Sequence, residues 1–385
     1  MALNNESRKL IIIFSIALSL GLILFFAVGS WNDEVLKERL LNHDSKEYHN
    51  IAVNLIENKV FSNTESSPHS PNIFRTPIYP FFLASVYAIF GYKPYIAIFF
   101  QLIIGAITCI LTYKIGRSFF DKKIASFAGL FMVFEYSSIL YNNVLMTETL
   151  FTFLFITHIY LLIKFIKENN SKMLVYSSVF LGLSTLCKPI SIYFFIFLIP
   201  AFFLHFRKNL QKGILKYSIL TLVFVLTITP WMVRNHKVSG KFLFSSAQEK
   251  VLRWHLYHLI KSRQKLKEVK PKQMERVQSP NRDPSTKRNV IHEISTKKKN
   301  NSVVLTDAKR YLKGMTYFIM ATKEKKFLEF VLFISIITYF VIATGPVGGT
   351  GAGRYRVPVM PYIILLASYG MIQIQGRWRG YKLIS

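Results

Sequence analysis

The sequence predicts an all-α membrane protein, a polytopic helical bundle of about 9 to 10 spans with a large first extracytoplasmic loop that bears interfacial helices. Of its 385 residues, 51% are hydrophobic and only 18% are charged, whereas a water-soluble domain carries about 25% charged residues. Uncharged stretches are long, and 23 uncharged residues separate Lys9 from Asp33. A helix of about 20 apolar residues crosses the hydrocarbon core. This composition excludes a disordered chain and argues against a soluble globular enzyme.

The candidate spans are, in chain order, 10–29, 94–116, 124–141, 149–166, 173–187, 190–206, 214–232, 327–343 and 357–375. Lys and Arg concentrate in alternate short connections, while the other short connections, 142–148 and 188–189, hold only Lys188. Basic residues mark the cytoplasmic side of short loops. The loop after the first span and the connection 142–148 are therefore predicted to face outward. The same alternation predicts a cytoplasmic position for Arg354 and Arg356.

One apolar stretch, residues 76–92, is predicted not to cross the membrane. It is short, contains Pro77 and Pro80, and would invert every later loop if it spanned. We expect a helix in the outer interface with Tyr79, Tyr87 and Tyr92 as interfacial aromatic residues. Residues 30–93 then form one external loop.

The strongly basic balance of the chain does not indicate nucleic acid. The formal net charge is +29, but basic residues beside membrane helices are an orientation signal, and no nucleic-acid-binding motif is present. The connection 233–325 is itself strongly basic and is predicted to lie outside, which is allowed because loops longer than about 60 residues are largely exempt from the charge rule. The two cysteines, Cys109 and Cys187, fall inside predicted spans and are assigned to packing.

Three carboxylates stand at or near the predicted outer face. Asp44 lies in the outer loop, Glu148 stands just before the span that starts at 149, and Glu135 is the only charged residue in the predicted span 124–141. Spacing alone also allows Asp44 to be a solvated loop charge, and Glu148 to be a first-turn acid behind a Thr147 cap. Glu135 differs, because a carboxylate within a span is costly and is by default a functional candidate.

Three basic residues accompany these acids: Arg75, Lys188 and Arg234, each beside a proline or a helix end. Any one of them could simply extend to the interface. Together with the acids they indicate a site for a phosphorylated substrate, because Arg and Lys bind phosphate through charge-assisted hydrogen bonds. A carboxylate in such a site can act as a general base.

Six segments, taken in order, carry a resemblance to a known superfamily. They are HDSKEY, RTPIYPFFLASVYAIFG, NNVLMTETLF, GLSTLCKP, TPWMVRN and GRYRVPVMPY. This order resembles the GT-C superfamily of integral-membrane glycosyltransferases, above all the branch with protein O-mannosyltransferases and the bacterial aminoarabinose transferases that modify lipid A. The resemblance implies a GT-C-like catalytic module over 1–240 that includes the outer loop 30–93. A basic, partly disordered loop then covers 241–326, and C-terminal transmembrane segments cover 327–385.

The resemblance also implies roles for the candidate residues. Asp44 and Glu148 are expected to be catalytic, with Asp44 taking the proton of the acceptor hydroxyl. The residues implied for substrate binding are Arg75, Lys188, Arg234, Tyr48 and Glu135. The superfamily keeps the motif that contains Arg354 outside, which conflicts with the alternation of spans.

The implied function is transfer of a sugar from a polyprenyl-phosphate donor to an extracytoplasmic acceptor, which is a protein, a lipid or a glycan. We expect inversion at the anomeric carbon and a multi-pass protein of the plasma membrane, in contact with membrane lipids. No cofactor and no metal are predicted, although the acid-rich first loop leaves a divalent metal possible. Two alternatives stay open: a membrane glycan ligase or polymerase with its site in 233–325, and a lipid or glycan transporter. Transporters usually show related halves, and no internal repeat is visible in this sequence.

Overall fold

A computed structural model describes residues 4–32, 34–35, 43–247, 327–344 and 352–381. The regular elements in these ranges are all helices, which confirms the predicted all-α class. The predicted loop 241–326 lies outside the described residues from residue 248 onward. One compact unit consists of Met1–Gln248 and Val331–Ser385, and it holds the residues of the candidate site. Only the last residues of a second unit, Glu249–Phe330, are described.

The helices in these ranges are α1 (Asn5–Ala27), α2 (His43–Glu57), α3 (Ile78–Phe90), α4 (Pro94–Phe119), α5 (Lys122–Val133), α6 (Tyr136–Asn142), α7 (Glu148–Glu168), α8 (Ser171–Cys187), α9 (Phe194–Phe197), α10 (Ile199–His205), α11 (Leu210–Ser239), α12 (Phe327–Thr344), α13 (Ala352–Arg356) and α14 (Met360–Tyr381). Two short 3₁₀ turns, Pro189–Ser191 and Val357–Val359, precede α9 and α14.

Several of these helices are membrane spans by length and composition. Within the described ranges, α1, α4, α7, α11 and the stretch Arg354–Ile372 are long and apolar enough to cross a bilayer. The consecutive helices α5 and α6 make a sixth span if they are counted as one bent unit, with 51° between them. The protein is therefore an integral membrane protein with a polytopic helical fold, as predicted. The predicted total of about 9 to 10 spans stays a prediction, because α8 and the apolar part of α12 are shorter.

Two of the predicted spans are interrupted. The stretch 190–206 is divided into a 3₁₀ turn, α9 and α10, and prolines stand at the first position of the turn and the second position of α10. Proline lacks the backbone N–H that continues a helix and is favoured at helix starts. The stretch 124–141 bends where Glu135 begins a new helix. Prolines and a polar residue thus divide two apolar stretches that hydropathy alone predicts to be continuous helices.

Helix α3 has a length that fits the expectation of a non-crossing helix over 76–92. Its 13 residues extend only about 20 Å at 1.5 Å per residue, short of the roughly 30 Å hydrocarbon core. The expectation for two of its tyrosines was wrong, because Tyr79 and Tyr87 are buried in the protein. The Tyr79 hydroxyl donates to Gln101 Oε1 at 2.7 Å, so α3 is attached to α4. Tyr92, in contrast, is exposed.

Helix α7 packs against α4, α8 and the 3₁₀ turn Val357–Val359. It is apolar around most of its circumference, which is typical of a helix enclosed by others. The ring of Phe155 contacts the rings of Phe194 and Phe340, with centroids 4.9 and 5.2 Å apart. These contacts bring α9 and α12 into the core. Such packing on several sides fixes the position of the α7 N-terminus and therefore of Glu148.

Candidate active site

Six charged side chains meet where the outer loop reaches the ends of the spans. We call them the ion network: Asp44, Glu47, Arg75, Glu148, Lys188 and Arg354. They come from α2, the segment before α3, the first residue of α7, the residue after α8, and α13. The structure therefore brings together residues that are more than 300 positions apart in the sequence.

The outer-loop part of the ion network is built around Arg75. Its Nη2 donates to Asp44 Oδ1, its Nε donates to Glu47 Oε2 at 2.6 Å, and its Nη1 donates to the Tyr48 hydroxyl at 3.2 Å. These three partners stand at the spacings i, i+3 and i+4 on α2, which place them on one face of the helix. The guanidinium also lies 4.8 Å from the centroid of the Tyr48 ring. Arg75 is thus held by three side chains on one face of the first turns of α2.

The local charges favour an ionised Asp44 beside a neutral Tyr48. Burial alone would raise the pKa of the Asp44 carboxyl, but the positive charges of Arg75 and Arg354 and their hydrogen bonds lower it below its usual value. Burial raises the pKa of the Tyr48 phenol. Tyr48 therefore contributes a neutral hydroxyl, while Asp44 contributes a full negative charge over the physiological range.

Glu148 is completely buried at the start of α7. Its Oε1 accepts from Lys188 Nζ at 2.8 Å and lies 3.1 Å from Arg354 Nε, while its Oε2 accepts from the Thr147 hydroxyl at 3.3 Å. Thr147 makes no capping hydrogen bond to the α7 backbone. Glu148 is thus an acid in the first turn of α7, as the sequence allowed, but Thr147 does not cap the helix. The Glu148 carboxylate is instead buried and paired with two cations.

Lys188 reaches Glu148 because α8 ends at the residue before it. Pro189 follows and begins a new 3₁₀ turn, and the Lys188 backbone is extended. Its side chain is nearly buried, with Nζ 4.7 Å from the centroid of the Tyr355 ring. The Thr76 hydroxyl donates to the Cys187 carbonyl at 2.9 Å. This hydrogen bond joins the turn that carries Lys188 to the outer-loop segment that carries Arg75.

Arg354 corrects the topology predicted from alternation. Its Nη1 donates to Asp44 Oδ2 at 2.8 Å, so it lies on the same face as Asp44 and Glu148, and not on the opposite one. Alternation depends on counting every crossing, and one miscounted crossing between residue 240 and Arg354 reverses the predicted side. The resemblance carried by the motif GRYRVPVMPY implied that Arg354 lies on the same side as Asp44 and Glu148, and the structure agrees on this point. Arg356, on the same short helix, contacts Met360 Sδ at 3.2 Å instead of an acid.

Arg234 lies outside the ion network. Its guanidinium lies 4.8 Å from the centroid of the Trp231 ring and 5.3 Å from that of Phe61, and Nη1 donates to the Asn72 carbonyl at 2.6 Å. The Asn72 side chain in turn accepts from the backbone N–H of Arg75 at 2.9 Å. The structure therefore places Arg234 against the segment that presents Arg75, with no contact to the carboxylates of the network.

Glu135 also lies apart from the ion network, and the structure accounts for it as a helix cap. Its carboxylate accepts from the backbone N–H groups of Ser137 at 3.2 Å and Ser138 at 2.6 Å. These are two of the N–H groups that the start of α6 leaves without partners. The bend between α5 and α6 thus explains a carboxylate in an apolar stretch, and Glu135 makes no contact with Asp44 or Glu148 among the described residues.

The charged groups of the network pair with one another and not around a cation-binding cavity. Among the described residues, no group of three or more His, Cys, Asp and Glu side chains is arranged to hold a metal ion. The side chain of His43 lies outside the described residues. A metal-free site therefore stays a prediction.

Comparison with known proteins found a matching family and solved structures with the same fold. Residues 74–233 match the family model described as dolichyl-phosphate-mannose-protein mannosyltransferase, and this segment contains Arg75, Glu148 and Lys188. A search of curated proteins found no match. The family model covers 160 of the 385 residues, and together with the fold of the structures described below it supports the resemblance to GT-C membrane glycosyltransferases.

Solved structures with the same fold come from a bacterium and an archaeon. ArnT from Cupriavidus metallidurans, bound to undecaprenyl phosphate, matches with a TM-score of 0.62 at 14% identity, over 97% of this chain and 62% of that chain. The oligosaccharyltransferase of Archaeoglobus fulgidus matches with a TM-score of 0.58 at 14% identity, over 98% of this chain and 52% of that one. The oligosaccharyltransferase AglB from the same archaeon, in complex with an inhibitory peptide and a dolichol-phosphate, matches with a TM-score of 0.52 at 14% identity, over 99% of this chain and 52% of that one. The chain therefore spans less than two thirds of the length of these proteins.

Proposed function

We propose that this protein, which has the fold of GT-C membrane glycosyltransferases, transfers a sugar from a polyprenyl-phosphate donor to an acceptor on the extracytoplasmic side of the plasma membrane. The observation that carries this proposal is the ion network, which joins three cations and a partly exposed carboxylate at the ends of membrane spans. A lipid-linked phosphate would lie at this depth. The structural matches include ArnT bound to undecaprenyl phosphate and AglB with a dolichol-phosphate, which supports this donor class.

The cations account for departure of the donor's leaving group. A sugar linked to a polyprenyl phosphate leaves behind a phosphate, which needs charge neutralisation more than it needs a proton. Preorganised cations at a site of developing charge are a major source of rate acceleration. We assign this role to Lys188 and Arg354, which lie at the span ends, with Arg75 on the side of the outer loop.

The two acids take different roles because their exposures differ. The Asp44 side chain is 25% exposed, whereas Glu148 is completely buried. Of these two acids, only Asp44 can be approached by the hydroxyl of an acceptor, and we assign deprotonation of that hydroxyl to this residue. Glu148 holds Lys188 and Arg354 in place. A single displacement, with the base and the leaving group on opposite faces of the sugar, inverts the anomeric carbon.

The test is transfer of radiolabelled sugar from polyprenyl-phosphate donors to endogenous membrane acceptors. Loss of a positioned general base reduces the rate by about 10²- to 10⁴-fold, so we expect Asp44→Asn to lose nearly all transfer at normal protein level. The matched control is Glu65→Gln, in the same outer loop, whose carboxylate is 63% exposed and pairs with Lys46 on the surface. Glu47→Gln is a poor control because Glu47 contacts Arg75. Wild-type transfer by Asp44→Asn, or no transfer from any polyprenyl-phosphate donor, would count against the proposal.

The proposed sidedness has its own test. Both cysteines of the chain are buried, so a single exposed cysteine at Glu65→Cys is a selective reporter. We expect a membrane-impermeant maleimide to label this variant in intact cells, or in spheroplasts if an outer barrier excludes the reagent. Labelling only after the membrane is opened would place the outer loop in the cytoplasm and refute the assignment.

A further inference from the structure

Arg354 joins the two acids of the site. Its Nη1 donates to Asp44 Oδ2 at 2.8 Å, and its Nε lies 3.1 Å from Glu148 Oε1. The other Asp44 oxygen accepts from Arg75. Both oxygens of the Asp44 carboxylate are therefore paired with a guanidinium, which is the state least suited to accepting a proton from a hydroxyl.

The ion network is electrically balanced as it stands. It contains three carboxylates and three cations, which five ion pairs link in one continuous chain. Carboxylates and phosphates compete for the same donor groups, since both form charge-assisted hydrogen bonds with Arg and Lys. A phosphate that enters this site finds no cation without a partner in the network. A phosphate that is to take the full charge pairing of one cation must therefore displace a carboxylate from it.

The three cations differ in which carboxylates would lose a partner if the cation moved away. Arg75 is held by three side chains and is 11% exposed, and Lys188 is 9% exposed. Arg354 is the most accessible, at 24%. If Arg354 leaves, Asp44 keeps Arg75 and Glu148 keeps Lys188. A buried charge without a partner is strongly unfavourable, so exchange at Arg354 has the smallest cost.

We propose that Arg354 changes partners during the reaction, covering Asp44 in the free enzyme and moving to the donor phosphate when the donor binds. This inference rests on the proposed function and adds an order of binding to it. The movement uncovers Asp44 Oδ2 for the acceptor hydroxyl and removes one of two positive charges beside the carboxylate, which makes it a stronger base. The donor therefore binds first, and the base becomes available only when a sugar is in place.

The test is a double-mutant cycle on binding of a short-chain polyprenyl monophosphate to the full-length protein in phosphatidylcholine nanodiscs. Uncharged polyprenol of the same length is the reference ligand. We expect Asp44→Asn to bind the monophosphate about tenfold more tightly, because it removes the competitor for Arg354, and Arg354→Ala to bind about tenfold more weakly. The double variant should bind like Arg354→Ala alone. Glu65→Gln is the matched control, with wild-type affinity.

Three outcomes contradict the inference, and they are distinguishable. If Asp44→Asn does not bind more tightly, Asp44 does not compete for the phosphate-binding cation. If Asp44→Asn increases the affinity for the monophosphate equally in the Arg354→Ala background, the increase reflects a general loss of negative charge. In both cases the proposed function stands. If the wild-type protein binds the monophosphate no better than polyprenol, the proposed donor class itself fails. Should Asp44→Asn not fold, Asp44→Ser takes its place in the cycle.

Discussion

Substitution of Lys188 by methionine should destabilise the protein strongly. The methionine fills a similar volume but leaves Glu148, which has no exposed side-chain surface, without its 2.8 Å partner. Removing one member of a buried ion pair costs about 3 to 5 kcal/mol. Because Arg354 Nε still lies 3.1 Å from the same carboxylate oxygen, we expect the lower end of this range. A loss of about 3 kcal/mol changes the ratio of folded to unfolded protein by roughly 100-fold.

The two native cysteines provide the assay. Both are buried, so reaction with a thiol-specific dye reports unfolding during a titration with SDS in mixed micelles. Cys187 is adjacent to the substituted position, and a Cys187→Ala background leaves Cys109 as a reporter within α4. The free energy of unfolding is then compared between the Lys188→Met variant and its parent.

A double variant distinguishes the buried charge from other effects of the substitution. When both members of a buried pair are made neutral, stability is often restored. We therefore expect Glu148→Gln with Lys188→Met to recover most of the loss, while transfer activity stays absent. A loss below about 1 kcal/mol in the single variant, the range of exposed pairs, would show that Glu148 is solvated or protonated. The reasoning about a buried ion pair would then be refuted.

Other predictions concern residues around the network. The substitution Arg234→Lys removes the stacked guanidinium and loosens the segment that presents Arg75. We therefore expect a higher KM for the donor with little change in kcat. An unchanged KM in donor titrations would contradict this prediction. The substitution Glu135→Ala removes a helix cap and should lower the free energy of unfolding by about 1 kcal/mol in the same SDS titration, while kcat stays within twofold. A large loss of kcat would show that Glu135 belongs to the site. The pKa of Asp44 in the folded protein lies below its usual value. At pH values above the unfolded-state pKa, the ionised carboxylate therefore stabilises the fold. This stabilisation is lost as the pH falls through the lower pKa of the folded state. Stability should therefore not change through Asp44 between pH 8 and 5, and an Asp44-dependent decrease within that window would contradict the pairing.

The sequence predicts the site best where a residue type and its neighbours determine position locally. Lys188 precedes a proline, Glu148 starts a span, and Arg75 precedes Thr76 and Pro77. In each case an apolar helix begins or ends nearby, and a charged side chain at that point lies near the membrane surface. Hydropathy and proline positions are enough to predict these helix ends. The sequence therefore identifies three of the six residues of the ion network by the ends of helices.

The sequence fails where position depends on long-range contacts. Arg234 has the same local signature as the network residues, but it stacks on Trp231 and Phe61, and the Phe61 contact depends on how a loop folds back over α11. The predicted position of Arg354 was wrong for a different reason, because its side of the membrane depends on counting all earlier crossings. A single uncounted crossing moves a residue across the entire bilayer. Errors of this kind accumulate with distance along the chain, whereas local signals do not.

The balanced charge of the site restricts the class of donor that it can bind. Sequence alone indicates a basic cluster for phosphate, but each cation of the ion network is already paired with a carboxylate. A free phosphate or a soluble nucleotide sugar would have to displace these pairs with no net attraction to aid it. A donor whose polyprenyl chain lies in the membrane is held beside the site at high effective concentration, which compensates for a weak headgroup interaction. Electroneutrality therefore favours a membrane-anchored donor over a soluble one. It also argues against a transporter, whose charged site usually lies at the midplane and not at one end of the spans.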